Sequence, residues 1–444
     1  MLHTILPLSL VVCLRFLGLF IVLPVISLYV TEFGEPSALL LGLAVGGAYF
    51  TQILFQTPIG ILSDKIDRKK VVMVGLFVFM IGSVVCALAN DIYTLIIGRF
   101  IQGAGAIGGV VSAQITDLVR EEKRTNAMAI MGGGIFASFT LAMLLGPIIG
   151  AYFGVSWLFW LTAFFSLLAM GLLWLKVPST PKILYAFDGK ARINDILKNK
   201  NLMIMNISSF LEKTFMTLIF VVIPLAFVNE LGMHEEDLWK IYTPAAICGI
   251  FALAPASILA EKYGKARLVM FYGITLFLVA YVLLAFGGAW EWLWLFVVGI
   301  ILFFIGFATL EPIMQSLTSK YARAHMRGMA LGVFTTYAYA GSFIGGILGG
   351  VAYHYLGMIW LGILVALVCV AWLGSLIILE NPSKQANLYL SVEQYDATKI
   401  KEISDEYGVI EIYVNKTEGV IVLKYNNALL DSVKAQMLAD CIKK

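Results

Sequence analysis

Charged side chains are scarce in this chain of 444 residues: Asp, Glu, Lys and Arg make up 13% of it, whereas 60% of the residues are hydrophobic. A soluble protein of this length needs far more polar surface to face water. The composition therefore excludes an ordinary soluble domain and favours a protein that resides in a lipid bilayer. The net charge of +3 gives no reason to expect a nucleic-acid partner.

Cysteine and histidine are also few, and their positions argue against metal or disulfide sites. Four of the five cysteines lie inside apolar segments without paired spacing, and the four histidines stand singly at segment ends. The nucleotide-binding pattern Gly-x4-Gly-Lys-Ser/Thr does not occur, so ATP hydrolysis is not expected. We therefore predict no metal, no cofactor and no catalytic site.

Twelve apolar segments are each long enough to cross a bilayer core of about 30 Å. The first has no small-residue cleavage site after a short apolar core, so we interpret it as a retained helix rather than a signal peptide. The segments lie near residues 5–30, 38–62, 71–89, 92–118, 127–152, 157–176, 202–228, 238–260, 268–288, 291–318, 328–353 and 357–379.

Positive and negative charges alternate between the connections of these segments. Acids dominate every second connection, whereas nineteen Lys and Arg residues fall in the others, around 65–70, 120–124, 176–200, 262–267 and 320–327. By the positive-inside rule the basic connections are cytoplasmic, and so are both termini. We predict a multi-pass membrane protein with this orientation.

One short turn stands out between the second and third segments. Residues 60–70 read Gly-Ile-Leu-Ser-Asp-Lys-Ile-Asp-Arg-Lys-Lys, and a degraded copy at 257–267 lies between two later apolar runs. Other matches, such as Gly146 with Gly345, keep the offset between 197 and 201 residues. Six helices have therefore been duplicated, which is typical of a transporter built from two similar halves.

Polar sequence marks the join between the halves and the C-terminal end. Residues 177–200 are basic and predict a cytoplasmic linker with a short amphipathic helix at 193–197 lying on the membrane. Residues 387–444 predict a small βαββα domain of ferredoxin-like topology whose closing strand is missing. The expected elements are strands at 388–392, 409–414 and 420–425 and helices at 394–407 and 428–442.

The turn at 60–70 resembles the signature loop of the major facilitator superfamily of transporters. The resemblance covers about residues 1–380. It implies an all-α membrane protein of twelve transmembrane helices in two pseudo-symmetric six-helix bundles, at 1–176 and 201–380, in the inner membrane. With its small α+β cytoplasmic tail, the chain is similar to the YajR-type members of the twelve-helix drug:proton antiporter branch.

The superfamily's signature loop is thought to latch one conformation by contacting the eleventh helix. The resemblance implies this role for Gly60, Asp64, Arg68 and Asp117, and a contact of Arg68 with Asp117 would help to hold the halves in one state. The basic residues of the loop are also explained by membrane topology alone. Asp67 stands where the family usually has glycine, and aspartate tolerates a left-handed backbone better than most residues.

Close helix packing is predicted where glycines recur. Gly146 and Gly150 in the fifth span let a neighbouring helix approach, and Pro147 bends the helix between them. These residues also resemble the fifth-helix motif of exporters, with Ala151 in place of the last glycine. Arg99 occupies the position of the family's fourth-helix arginine, which is thought to influence proton transfer.

Ionisable side chains inside the spans are costly unless they are paired or hydrated, so each is a functional candidate. Glu212 and Glu311 are candidates for carrying a proton during a transport cycle, and a purely structural ion pair is the alternative for each. Lys213 adjoins Glu212 on a different helix face. Arg15 stands in the first span, where many antiporters have an acid.

Polar and aromatic side chains of the central spans are candidates for lining a substrate cavity. Tyr49, Gln52 and Gln56 fall at i, i+3 and i+7, and two glutamines on one helix face favour a hydrated surface. Ordinary packing explains an isolated aromatic side chain equally well. The predicted lining also includes Arg15, Lys213 and Tyr337.

The predicted function is secondary active transport, in which proton entry drives efflux of a small amphipathic compound or drug by alternating access. Uptake or uniport by the same fold is one alternative, and a non-transporting membrane sensor that uses its cytoplasmic domain is another. The expected partners are the bilayer, a small-molecule substrate and protons. The C-terminal domain is expected either to self-associate or to dock on the cytoplasmic face.

Overall fold

The computed structural model describes residues 2–443 apart from positions 35, 120, 180–184, 187–192, 323–325, 381–384, 397–399, 401–402, 404–405, 416–418 and 428. The N-terminal half consists of helices α1 (Leu2–Phe20), α2 (Ile26–Thr31), α3 (Ala38–Lys65), α4 (Arg68–Ala87), α5 (Ile92–Ala104), α6 (Gly108–Leu118), α7 (Glu121–Phe153) and α8 (Val155–Lys176). After the short helix α9 (Ile193–Lys198), the C-terminal half consists of α10 (Lys200–Asn229), α11 (Leu238–Glu261), α12 (Ala266–Ala289), α13 (Leu293–Tyr321), α14 (Arg327–Tyr355) and α15 (Gly357–Ser375).

These helices make twelve passes in the described part of the chain. Eleven stretches are long and apolar enough to cross a membrane, with α5 and α6 forming one of them, and a shorter apolar helix at Leu6–Phe20 opens the twelfth. A turn at 21–25 interrupts the helix of the first span, and a non-helical stretch at 105–107 interrupts that of the fourth. Pro24 lies in the first turn, where its missing N–H disfavours a continuous helix.

The fourth span breaks where it is pressed against its neighbours. A methyl group placed on Gly103 would lie 1.8 Å from the Ala48 carbonyl oxygen, and one on Gly105 would lie 2.4 Å from the Gly75 carbonyl oxygen. Only glycine permits such close approach of backbones. The break therefore accompanies tight packing of α5 against α3 and α4.

The two halves are six-helix bundles that pack alike. In the N-terminal bundle α4 packs on α5 and α8, and α12 packs on α13 and α15 in the other bundle. A methyl group on Gly146 would lie 2.3 Å from the Ile21 carbonyl oxygen, and one on Gly345 would lie 2.3 Å from the Thr214 carbonyl oxygen. The duplicated glycines thus fill equivalent places, each against the first span of its own bundle.

The two ends of the bundles differ in charge. We call the end with Glu32, Asp91 and the 230–237 connection the acidic end, and the end with the 65–70 and 262–267 connections the basic end. The halves touch near the acidic end, mainly through α3 with α14 and α7 with α11.

Glycine environments show where the halves are close and where they are apart. Near the acidic end, a methyl group on Gly42 would lie 2.6 Å from the Ile347 Cα atom. Nearer the basic end, methyl groups on Gly132 of α7 and on Gly328 or Gly332 of α14 would meet no heavy atom of the described chain within 4 Å. The halves are therefore closely packed at the acidic end, whereas these glycines at the basic end are not packed against the other half in the described chain.

The tail is a four-stranded antiparallel sheet with one helix resolved in full, α16 (Ser432–Asp440). The strands, in the order β1-β3-β4-β2 across the sheet, are β1 (Tyr185–Ala186), β2 (Gln385–Ser391), β3 (Val409–Asn415) and β4 (Val420–Asn426). The predicted hairpin and final helix are present. Half of the predicted helix at 394–407 lies outside the described residues, and residues 392–394 form a turn.

The linker between the halves also belongs to the tail's sheet. Its strand β1 pairs with β3, with Tyr185 opposite Asn415 and Ala186 opposite Val414. The sequence predicted a tail sheet that lacked a fourth strand and a linker independent of it. A two-residue strand carries no alternation signal, so only the folded chain reveals it.

Helix α9 packs on protein, although the sequence placed it on the membrane surface. Its Ile196 is fully buried in a cluster with Leu202, Ala322 and Met326. Exposed apolar side chains at Ile193 and Leu197 retain the amphipathic character that suggested a bilayer contact.

Candidate functional site

Three charged side chains meet inside the C-terminal bundle. Glu212 and Lys213 are consecutive on α10, and Glu311 lies on α13. The Lys213 Nζ atom lies 2.5 Å from Glu311 Oε2 and 3.3 Å from Glu212 Oε2. Glu212 is fully buried, whereas the Glu311 side chain is 36% exposed. We call these three residues the carboxylate–lysine cluster.

Lys213 holds the cluster together. Consecutive helical residues point in directions about 100° apart, so the sequence placed Lys213 and Glu212 on different faces. The flexible four-carbon stem of the lysine nevertheless brings its ammonium group between the two acids. The same ammonium lies 4.6 Å from the centroid of the Phe307 ring on α13, a further favourable cation–π contact.

Arg99 is satisfied by neutral acceptors in the N-terminal bundle. Its Nε and Nη2 atoms donate to the carbonyl oxygens of Ala44 and Val45 at 3.1 Å, and its Nη1 atom donates to Gln102 Oε1 at 2.8 Å. The Gln102 amide in turn donates to Ser83 Oγ at 2.9 Å. The structure therefore uses Arg99 to join α5 to α3, apart from the carboxylate–lysine cluster.

Arg15 is also buried, but in the described chain it lacks the hydrogen bonds that Arg99 makes. Its side chain is fully enclosed, and none of its three guanidinium nitrogens has a hydrogen-bond partner among the described residues. The guanidinium carbon lies 5.2 Å from the ring centroids of both Phe16 and Phe79. Arg15 is thus a cation in an aromatic environment.

The predicted polar stripe on α3 is enclosed as well. Gln52 is fully buried and Tyr49 and Gln56 nearly so, and each has at least one polar side-chain atom without a partner in the described chain. The Tyr49 ring lies 6.3 Å from the ring of Tyr339, which comes from the other half. The stripe therefore faces the junction between the halves rather than lipid.

Sequence reasoning missed two further members of this polar interior. Gln114 on α6 and Asn206 on α10 are fully buried, and both polar atoms of each amide lack a partner in the described chain. The available signal was an isolated amide inside an apolar run. Tyr337, in contrast, is only half buried, and its hydroxyl lies 4.0 Å from the Met203 sulfur.

The signature loop forms an ion pair within one half. Arg68 Nε donates to Asp117 Oδ2 at 2.7 Å, and Arg68 Nη1 donates to Ser63 Oγ at 3.0 Å. The sequence suggested that this pair joins the two halves. Both partners instead belong to the N-terminal bundle, where the pair links the start of α4 to the end of α6.

Asp67 does not adopt the left-handed backbone that was expected of it. Its φ of −58° and ψ of 121° lie outside the left-handed region, and its carboxylate accepts the Lys69 backbone N–H at 3.0 Å as the N-cap of α4. Gly60 faces open space in the described structure, as Gly328 at the start of α14 does. The Asp64 side chain lies outside the described residues.

The fold and the interior charges define a class of protein: a polytopic carrier whose two homologous bundles enclose polar groups at their junction. The sequence model of the Major Facilitator Superfamily matches residues 8–252 and 202–405. The chain therefore belongs to this superfamily of transporters, and neither the fold nor the relatives are those of enzymes.

Several proteins are similar over most of the chain. The inner membrane transport protein YajR of Escherichia coli (strain K12) is 34% identical over 424 residues, which are 93% of this chain and 92% of that protein. An uncharacterized transporter of Buchnera aphidicola is 32% identical, covering 75% of this chain and 85% of its own length. The class H tetracycline resistance protein of Pasteurella multocida is 23% identical, covering 80% and 90%.

Solved structures share the fold at low sequence identity. The human organic anion transporter MFSD10 superposes with a TM-score of 0.64 at 15% identity, covering 84% of this chain and 99% of that one. The nucleoside transporter NupG gives a TM-score of 0.66 at 16% identity with the same coverage. These likenesses establish the architecture alone.

Proposed function

We propose that this protein is a proton-coupled exporter of a small amphipathic compound, in which the carboxylate–lysine cluster carries the proton. The observation that supports this proposal most is the unequal charge of the cluster. Lys213 is one cation between two acids, Glu212 and Glu311. If both acids are ionised, one negative charge lacks a counter-ion inside the membrane, and binding of a single proton neutralises it.

The position of the cluster suits a carrier that moves between two states. Glu311 is 36% exposed and Glu212 is fully buried, so a proton that enters at Glu311 reaches an enclosed acid through their shared lysine. Lys213 also contacts Phe307, and the Phe307 ring lies 5.1 Å from the Phe139 ring of the N-terminal half. Movement of one half against the other therefore changes the surroundings of the lysine.

Proton coupling is tested by flux in proteoliposomes. Compounds that stabilise the purified protein in a thermal-shift screen are added to one side, and the internal pH is followed with a trapped dye. Wild-type protein is expected to move protons opposite to the compound. Glu311→Gln and Glu212→Gln are each expected to lower this proton movement at least about tenfold, because one proton-binding group is lost.

A matched control separates coupling from general damage. Glu261→Gln removes an acid that pairs with Lys320 at the basic end, outside the cluster, and it is expected to leave proton movement intact. Compound flux without any proton movement in wild-type protein would favour a uniporter. Proton movement in the same direction as the compound would favour uptake by symport.

The proposed orientation places the basic end in the cytoplasm, as the positive-inside rule requires. Because the glycines of α7 and α14 at that end are not packed against the other half in the described chain, the described conformation is proposed to face the cytoplasm, where a substrate for export enters. Asp64, Arg68 and Asp117 are proposed to act when the basic ends close. Asp64 then meets the N-terminal turn of α14, whose free N–H groups attract a carboxylate.

The tail is proposed to dock on this same end. The Lys424 side chain, which is nearly buried, donates from Nζ to the Lys320 carbonyl oxygen at the end of α13 at 2.9 Å. This contact supports docking over self-association. A sensor that acts only through its tail is less well supported, because the carboxylate–lysine cluster and the polar stripe lie within the membrane spans.

A further inference from the structure

Arg15 differs from every other charged side chain deep within the described spans. The carboxylate–lysine cluster is internally paired, and Arg99 donates from all three guanidinium nitrogens. Arg15 is just as deeply buried as Arg99 and has no such partner among the described residues. A guanidinium group that loses its water without gaining acceptors is costly, so an anion that binds there is strongly favoured.

Tyrosine side chains lie close to the guanidinium. Tyr49 and Tyr339 pack in one cluster with Phe16 and Phe79, the two rings that the Arg15 guanidinium contacts. The Tyr49 hydroxyl and, one helical turn further along α3, the Gln52 amide are buried without partners in the described chain. A ligand with two acceptor oxygens can therefore satisfy several donors at once.

The break in the fourth span adds positive potential at the same place. A methyl group placed on Gly108, the first residue of α6, would lie 3.5 Å from the Tyr339 hydroxyl. The N–H groups of the first helical turn have no partner within their own helix, and the helix dipole is positive at this end. Tyr339 therefore lies between the start of α6 and the Arg15 guanidinium.

The charged side chains buried within the spans also sum to a positive charge. Deep within the described spans, Arg15, Arg99 and Lys213 carry three positive charges, and Glu212 and Glu311 carry two negative charges. The surplus is one positive charge, and it becomes larger when the cluster takes up a proton. A cationic compound would be repelled by this interior, whereas an anionic one would be attracted.

We propose that Arg15 binds the carboxylate of an aromatic organic acid, which is the transported compound, so that this inference rests on the transport function proposed above. The guanidinium accepts the carboxylate in a two-pronged pairing. Phe16 and Phe79 flank the guanidinium, and Tyr49 and Tyr339 supply hydroxyl donors and further ring surface. The described conformation encloses the site, and because Tyr49 and Tyr339 belong to different halves, it opens when these two side chains part.

Binding to the purified full-length protein in detergent tests this proposal without any proton gradient. The probes are 2-naphthoate, indole-3-acetate and 4-phenylbutyrate, each compared with its primary amide, which has nearly the same shape and no charge. Wild-type protein is expected to bind at least one of the acids about tenfold or more tightly than its amide. Arg15→Gln is expected to reduce this preference to within about twofold, and Arg15→Lys to retain part of it.

Controls separate the outcomes. Arg267→Gln, which removes a half-buried arginine at the basic end that donates to the Ile377 carbonyl oxygen, is expected to keep the wild-type preference. Thermal unfolding of Arg15→Gln shows whether it folds, and it is expected to be no less stable than wild type because an unpaired buried charge is removed. Equal binding of acid and amide by wild type, no binding of any acid, or an unchanged preference in Arg15→Gln would each overturn the proposal.

Failure of the transport function has a different signature. Glu311→Gln is expected to abolish proton movement and still prefer acids, because the carboxylate site does not include Glu311. If Glu311→Gln moves protons normally while Arg15→Gln loses its acid preference, the proton-carrier assignment fails and the anion site stands.

Discussion

The two loops that follow the second and eighth spans occupy equivalent places, yet they are held in opposite ways. In the N-terminal half the cation, Arg68, comes from the loop, and the acid, Asp117, ends the fourth span. In the C-terminal half the acid, Glu261, comes from the loop side, and the cation, Lys320, ends the tenth span. Each corner thus has an ion pair, but the two pairs use different loop positions, since Arg68 corresponds to Lys265 and Glu261 corresponds to Asp64.

The backbone of the two loops differs as well. Gly264 has a φ of +66°, which is the left-handed conformation that favours glycine, whereas Asp67 at the equivalent position is extended and caps α4. The N-terminal copy, although closer to the family pattern, therefore forms its turn in a different way. Packing of the helices is the part of the duplication that the two halves still share, and local loop geometry is the part that has diverged.

The largest expected effect is a loss of stability when the helix packing that the two halves share is disturbed. Gly146→Ala and Gly345→Ala each place a methyl group 2.3 Å from a backbone carbonyl oxygen, and we expect each to destabilise the folded protein by about 1–3 kcal/mol. Thermal unfolding in detergent measures the loss. Gly171→Ala and Gly374→Ala, at open positions in the sixth and twelfth spans, are expected to be neutral or slightly stabilising. If only one of the two variants at the packed sites were destabilised, the two halves would not share this packing.

An intermediate effect, on the transport rate, is expected from changes in the two loops whose geometry has diverged. Asp64→Asn is expected to weaken transport several-fold with little loss of folded protein, because it removes the charge proposed to meet the start of α14. Glu261→Gln at the equivalent position breaks a half-exposed pair with Lys320, so its effect on transport is expected to be small. Initial flux rates, normalised to protein that elutes as a single species, compare the two. Undiminished flux in Asp64→Asn would count against the latch.

The smallest expected effect is a local loosening of the tail. Lys424→Ala removes the hydrogen bond to the Lys320 carbonyl oxygen, beside the ion pair of the C-terminal corner, and is expected to loosen the tail without altering the membrane helices. Faster hydrogen exchange in β3 and β4 and an unchanged rate in α13 would show this. Lys434→Ala, at an exposed position on α16, serves as the control. Equal exchange in both variants would show that the contact does not hold the tail.

Sequence alone predicted most of the architecture, because membrane spans are specified by long apolar runs and by the charges between them. The breaks at 21–25 and 105–107 escaped prediction because they depend on how closely neighbouring backbones approach. The contact of Arg68 with Asp117 was anticipated, but its place within one half was not. That placement depends on which helices lie side by side.

The candidate functional residues were likewise identified from the sequence one by one, without their arrangement in the fold. Glu212, Lys213 and Glu311 were identified singly as charges in apolar runs, and only the fold brings α10 and α13 together. The apolar surroundings in the sequence do not separate Arg15 from Arg99, since each is one arginine in an apolar segment. In the described part of the chain, Arg99 donates three hydrogen bonds and Arg15 donates none, and this difference separates a residue that joins helices from a candidate binding residue.

The strand that the linker contributes to the tail has a mechanical consequence. Because β1 is held in the sheet, the connection between the bundles is divided into two short pieces, from Val177 to Tyr185 and from Ala186 to Ile193. At about 3.5 Å per residue, neither piece can extend beyond roughly 30 Å. The sheet of the tail is therefore tethered within roughly 30 Å of the end of α8 and of the start of α9, whichever conformation the bundles adopt.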